Sequence, residues 1–324
     1  MPKSKWNLNT IYISERLQES LRPISRCAMT TVVAPMGYGK TTAVEWYLAE
    51  RAGAEAPYIV RISVYSSNLA IFWKSVQDAF ARAGFAFLRE YDCPTDGASG
   101  GLLIDDLCHA LTGEQSCYIF IDDFHLLTDK RAPGFLCALA GRLPPNVHLI
   151  LASRDLFLPA AELVRLGGKV YQIGTAQLRL NHTELAVYTK RCGTALSDEQ
   201  IDTLLYYSEG WFSAVYLNLR MFSEHGVLPD PNSDISSIFT AAMIDPLPEK
   251  QREFLAVMGL ADEFTVEMAQ FVMADAHAEN LLAALTGQNA FVKRLPDGAT
   301  YRFHHMMKEC ALHTFLSMPK ERQT

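Results

Sequence analysis

The stretch with the most pointed chemistry is Ala34-Pro35-Met36-Gly37-Tyr38-Gly39-Lys40-Thr41-Thr42, set between the apolar run Thr31-Val32-Val33 and a segment of helical period. Wrapping a polyphosphate requires a strand to deliver the turn, glycines whose backbone N–H groups curl round the anion, and a helix N-terminus aimed at it. Gly37 and Gly39 supply that freedom. Lys40 is placed to reach the β- and γ-phosphates, and the Thr41 hydroxyl, a hard oxygen, to ligate Mg²⁺, with Pro35, Tyr38 and Thr42 completing the loop. The pattern G-x-x-x-x-G-K-[ST] opens here on Ala34. Because that position closes the strand, alanine is expected to be tolerated there. The plainer alternative is a strand-to-helix turn with a surface lysine.

A second cluster follows Cys117-Tyr118-Ile119-Phe120-Ile121, where an apolar strand ends in Asp122-Asp123-Phe124-His125. Carboxylates at a strand's C-terminal end lie where open α/β sheets bind ligands. Asp122 is expected to hold Mg²⁺ directly or through water, and Asp123 to orient or deprotonate an attacking water. On their own, two acids after a strand also read as a helix cap or turn. Arg154 ends the next apolar run, Val147 to Ala152, at the same sheet edge. It either senses the γ-phosphate or pairs with Asp155 or Asp123.

These residues need a scaffold that brings strand ends together. Strand-like apolar runs (near residues 31, 58–64, 117–122, 147–152 and 169–173) alternate with helical segments from residue 30 to about 175. This alternation predicts an α/β fold, a P-loop parallel sheet with helices on both faces. Tyr91 to Gly101 reads as a turn-rich loop, with helix resuming from Leu102 to Leu111. From Asn181 the period is 3.6, with capping-box signatures at Asn181/Glu184 and Ser197/Gln200. Further on, Pro248, Thr265 and Asp275 start three helices. A hairpin with Asp297-Gly298 at its tip follows, and then a closing helix from Met306 to Leu316. Three helices and a hairpin make a winged helix. The expected partition is residues 1–175 for the nucleotide-binding domain, 176–234 for a small helical lid domain, and 235–324 for the winged-helix domain.

At 324 residues the chain exceeds one ordinary core. A net charge of −7 gives no electrostatic footprint for nucleic acid, so this chain is not expected to be the DNA reader. Its seven cysteines are odd in number and lack C-x-x-C spacing, which argues against a disulfide framework or a zinc site. With no signal-peptide pattern and no long apolar run, a cytoplasmic protein without membrane contact is expected.

Taken together, Gly37-Tyr38-Gly39-Lys40-Thr41-Thr42, Asp122-Asp123-Phe124-His125, Leu151-Ala152-Ser153-Arg154, Gln177-Leu178-Arg179-Leu180, Glu209-Gly210-Trp211 and Arg302-Phe303-His304 carry a family resemblance. The chain resembles the STAND class of signal-transduction ATPases, specifically the regulatory half of MalT-like, LuxR-type bacterial transcription regulators. That resemblance implies ATP and ADP, with Mg²⁺, as cofactors. It implies a resting state in which ADP is buried between the three modules, and self-association once ATP replaces it. It also implies an inducer or sensor domain outside this chain, DNA contact through a missing C-terminal helix-turn-helix, and a chain that is a fragment of a longer regulator. By the same resemblance His304 lies near the β-phosphate; from the residues alone it reads as a histidine in a strand-to-helix corner. Phe212 stands where many relatives have a proline near the base. The function so implied is a conformational switch with slow or no ATP hydrolysis in isolation. The rivals are a continuously cycling P-loop ATPase and a winged-helix DNA binder. The segment from Asp275 to Gly287 has no Lys or Arg and so speaks against the latter.

Overall fold

The computed structural model describes residues 7–8, 10–34, 37–208, 210–225, 240, 244–245, 247–287, 292–295, 297–303 and 305–318. Pro35, Met36, Glu209 and His304, all singled out above, lie outside them. The chain forms two compact units, Met1–Ser213 and Ala214–Thr324. The boundary expected between residues 234 and 235 lies outside the described residues.

In the first unit, strands β1 (Met29–Val33), β2 (Tyr58–Ser63), β3 (Cys117–Asp122), β4 (Val147–Ser153) and β5 (Val170–Ile173) form one sheet in the order β2-β3-β4-β1-β5. Every pairing is parallel. All residues of β3 and β4 are buried, which is why these strands read as unbroken apolar runs. Strand β4 lies between β1 and β3, so the end of β4 separates the loop after β1 from the acids after β3. Sequence alternation cannot reveal that order.

Helices cover both faces. On one side α1 (Glu15–Leu21), the turn after it and α2 (Lys40–Glu55) pack Leu21, Ile24, Val44 and Leu48 against Tyr118, Phe120 and Ile150. On the other side α3 (Leu69–Arg82), α4 (Gly97–Leu111) and α5 (Arg131–Arg142) cover Ile119, Ile121 and Leu149. Helix α4 corrects one expectation, because it starts at Gly97 within the segment read as loop. Asp96 and Ser99 form a reciprocal capping box, and burial of Leu103, Ile104, Leu107 and Leu111 outweighs the poor helix propensity of Gly97, Gly100 and Gly101.

Helix α6 (Ala160–Leu166) and the short α7 (Thr175–Leu178) lead into α8 (His182–Arg191), α9 (Asp198–Ser208) and α10 (Phe212–His225). Both expected capping boxes form. Asn181 and Glu184 exchange bonds of 2.9 Å, and Ser197 and Gln200 exchange bonds of 3.0 and 3.3 Å.

The second unit contains α11 (Glu249–Met258), β6 (Phe264–Thr265), α12 (Val266–Met273), α13 (Ala278–Gly287), β7 (Val292–Arg294), β8 (Thr300–Phe303) and α14 (His305–Ser317). Strand β8 lies between β6 and β7 in an antiparallel sheet, over a core that includes Phe254, Phe264, Leu282 and Phe303. This is the expected three-helix, hairpin and closing-helix order, with β6 added as a short third strand. Among the described residues no helix is long and apolar enough to cross a membrane.

Candidate functional site

The residues singled out after β1, β3 and β4 converge at the carboxyl edge of the first sheet. Gly37 and Gly39 have φ of 76° and 74°, the left-handed region in which a side chain would be strained. Ala34, in contrast, continues the ladder: its N–H donates to the Ser153 carbonyl at 3.3 Å, and it does not enter the left-handed region. Alanine is therefore accommodated where the common pattern has glycine, as expected.

Lys40 opens α2 and is buried, with its Nζ donating to the Ala34 carbonyl at 2.7 Å. Burial lowers its pKa, Asp123 and Asp122 pull in the opposite direction, and Arg154 adds to the lowering. Lys40 thus feels the charge of all three residues named from the sequence. Thr41 Oγ1 donates to Asp122 Oδ2 at 2.9 Å, across 81 residues of chain. The buried Asp122 carboxylate also accepts the Asp123 N–H at 3.0 Å.

Asp123 has φ of 56°, a conformation that costs a non-glycine residue about 1 kcal/mol or more. Ser153 Oγ donates to the Asp155 carbonyl at 2.9 Å, a tight local bond that shapes the turn carrying Arg154. Thr42, the third residue of α2, lies in the first helical turn beside Thr41.

Two contacts with this loop were not legible in the sequence. The Ser213 N–H and Oγ both donate to the Gly37 carbonyl at 3.1 Å, so the loop caps one of the open N–H groups in the first turn of α10. A Cβ on Gly37 would lie 2.3 Å from Ser213 Oγ and 2.7 Å from Trp211 Nε1, so the close approach itself demands glycine. Beside it the Tyr38 and Trp211 rings stack with centroids 6.2 Å apart. The only advance signal was Trp211 in the Gly210-Trp211 element, which says nothing of Ser213.

Gly210 has φ of 73°, and a Cβ there would meet the Leu180 carbonyl at 2.1 Å; the Leu180 N–H in turn donates to the Gly210 carbonyl at 2.8 Å. Phe212 packs on the buried Tyr188, ring centroids 5.3 Å apart.

Arg16 ties the same region to α1. It donates to both Glu184 oxygens at 2.9 and 3.0 Å and to the carbonyls of Ala176, Gln177 and Arg179. Burial raises the Glu184 pKa. The bonds from Arg16, Ser14 and the Asn181 N–H outweigh that effect and hold the carboxyl below its usual value.

Among known proteins, the family model described as the MalT winged helix domain matches residues 240–323. The HTH-type transcriptional regulator MalT of Vibrio campbellii is 20% identical over 333 residues, covering 96% of this chain and 36% of that protein. MalT of Yersinia pestis is 22% identical over 329 residues, with the same coverage of 96% and 36%. The chain therefore spans about a third of the length of the relatives it matches and is MalT-like over nearly all of its own. A Walker-type ATPase structure from Pyrococcus abyssi superposes at a TM-score of 0.47 with 12% identity, covering 97% of this chain and 99% of that one. Strand order and loop geometry carry the fold assignment.

Proposed function

We propose, taking the chain as the N-terminal part of a MalT-like transcriptional regulator, that its first unit is an ATP/ADP-binding switch. The observation that carries this reading is the convergence of three elements at one sheet edge. These are the left-handed glycine turn, the buried Lys40 behind it, and the Thr41–Asp122 bond of 2.9 Å. A buried ammonium at a helix N-terminus is costly in apolar surroundings and is stabilised by a bound polyanion.

In this reading Gly37, Tyr38, Gly39, Lys40 and Thr42 bind the phosphates. Asp123 positions water, and Arg154 reports the γ-phosphate. Thr41 Oγ1 and Asp122 Oδ2 are two hard oxygens side by side, a donor pair that fits Mg²⁺. No group of three or more His, Cys, Asp or Glu residues suited to a metal occurs among the described residues, so water and phosphate oxygens would complete the shell. When bound, the ion would neutralise polyphosphate charge.

The loop carbonyl at Gly37 is held by Ser213, so the shape of the loop is linked to the start of α10. A nucleotide that fits one loop shape better than another shifts the population of helix positions by its differential affinity. ADP favours the resting arrangement and ATP the one that self-associates. Hydrolysis in isolation is slow or absent. The inducer-sensing and DNA-reading parts belong to regions outside this chain.

The test is nucleotide binding by Lys40→Ala. Losing a charge-assisted contact to phosphate should weaken ATP and ADP binding by about 100-fold or more in titration calorimetry. Unchanged affinity in a folded variant would refute the phosphate-loop assignment. Chromatography of nucleotide released on denaturation gives the resting state: near-stoichiometric ADP supports the switch, whereas an empty site that turns ATP over rapidly supports a cycling ATPase.

A further inference from the structure

The helices that cover the sheet face opposite α2 leave a gap beside it. Between β3, α3, α4 and α5 lies a cavity of about 390 Å³. Its floor is Ile119 and Ile121, and its walls include Trp73, Phe80, Phe124 and Phe135. An apolar cavity of ~150 Å³ admits benzene, so this one has room for two or three fused or linked rings.

Its borders explain why it stays open. Gly101 of α4 and Gly134 of α5 line it, neither has a positive φ, and a Cβ built on either meets nothing within 4 Å. No backbone or packing constraint calls for glycine at these two helical positions, where it is the poorer helix former.

The polar groups at the mouth already have partners within the chain. Arg131 holds Asp129 through two bonds of 3.0 and 2.7 Å and donates to the Thr95 carbonyl at 3.2 Å. Arg142 pairs with Asp105 at 2.9 Å, and Asp96 caps the Ser99 N–H at 2.8 Å. A charged occupant would enter an apolar chamber whose two rim arginines are already paired, so an uncharged one is favoured.

We propose that this cavity is a binding site for an uncharged aromatic molecule of two to three rings, and that its occupancy is felt at the nucleotide site through Phe124. That second half rests on the nucleotide reading above. Phe124 follows Asp123 directly, lines the cavity, and packs its ring 4.6 Å from Phe157, three residues after Arg154. An occupant pressing on Phe124 therefore bears on both segments that carry candidate phosphate-sensing groups. Asp123, held at φ of 56°, is the backbone point with an alternative to relax into.

The probe is N-phenyl-1-naphthylamine, which is uncharged, has three rings, and fluoresces when removed from water. Saturable one-to-one binding is expected, with energy transfer from tryptophan that falls in Trp73→Phe. Gly134→Leu and Ala138→Phe, one helical turn apart on the wall, should each weaken binding by about tenfold or more by occupying the volume. Absence of saturable binding overturns the site. So does unchanged affinity in both wall variants, provided each melts cooperatively.

Saturating probe should shift ADP affinity by about threefold, and ADP should shift probe affinity by the same factor. Phe157→Leu, which lies outside the cavity lining but against Phe124, should keep probe binding while abolishing that shift. Probe binding with an unmoved ADP affinity overturns the coupling. Probe binding by a chain that takes up no nucleotide overturns the nucleotide reading, and the coupling with it, while sustaining the cavity site.

Discussion

Tyr118 and Phe120 point to one face of the first sheet and Ile119 and Ile121 to the other, and the two faces meet different fates. Toward α1 and α2, the side chains of Leu21, Ile24, Val44, Leu48 and Ile150 have no exposed surface, and Arg16 clamps α1 to the region beyond β5. Toward α3, α4 and α5, comparable apolar residues surround a cavity of about 390 Å³. The closely packed face backs the helix that begins at Lys40, the residue proposed to hold phosphate. The open face adjoins Phe124, where displacement carries information. Packing thus differs between the two faces of one sheet.

The largest expected effect tests that contrast directly. Leu48→Ala should cost about 4 kcal/mol, because a side chain fully enclosed by α1 and the sheet leaves a void that cannot collapse. Ile104→Ala, at a side chain already facing empty volume, should cost about 2 kcal/mol. Denaturant unfolding of both variants measures the difference. Equal losses would mean that the two faces are packed alike.

Ion pairs sharpen the comparison at intermediate size. Glu184→Gln removes the acid of a pair whose carboxylate side is 8% exposed, and should cost about 2 kcal/mol at neutral pH. Arg142→Gln, from a pair exposed on both sides, should cost less than about 0.5 kcal/mol. The two also differ in pH dependence. The folded-state pKa of Glu184 is depressed, so its contribution is complete above the ordinary glutamate value of 4.5 and fades as pH falls through the lower folded value. The gap between wild type and Glu184→Gln should therefore close on acidification below about 4.5. A gap that widens there would show that burial, not the Arg16 pair, governs this group.

The parts of this molecule legible in its sequence are those set by neighbours along the chain. Three of these are the glycine turn at Gly37 and Gly39, the apolar strand ending in Asp122, and the capping boxes at Asn181 and Ser197. Each has its cause within a few residues, and each is found where it was expected. The rest depends on distant partners. Insertion of β4 between β1 and β3 follows from tertiary packing that alternation does not encode. The bond from Ser213 to Gly37 spans 176 residues, and no local pattern marks Ser213 as a partner of the loop. Helix α4 was hidden because three glycines suggest a loop until the burial of Leu103 and Leu107 is known. The cavity was hidden for the same reason, since a glycine beside empty space looks no different in sequence from one in a turn.

The last pair of substitutions is the most discriminating because the sign of its effect differs between the faces. Gly134→Leu replaces a poor helix former within α5 and places side-chain atoms where a Cβ meets nothing within 4 Å, so it should raise stability by about 1 kcal/mol. Ala43→Val adds two methyl groups to a helical position that is 1% exposed against the sheet on the α2 side. It should lower stability by about 1 kcal/mol through crowding and reduced helix propensity. Both are read from unfolding midpoints at a fixed denaturant slope, so that a change in the unfolded state is not mistaken for packing. A destabilised Gly134→Leu would show that α5 already lies against its neighbours and that the open volume closes in solution. A stabilised Ala43→Val would show slack on the α2 side, and Lys40 would then owe its position to its bond with the Ala34 carbonyl instead of to the packing of α2.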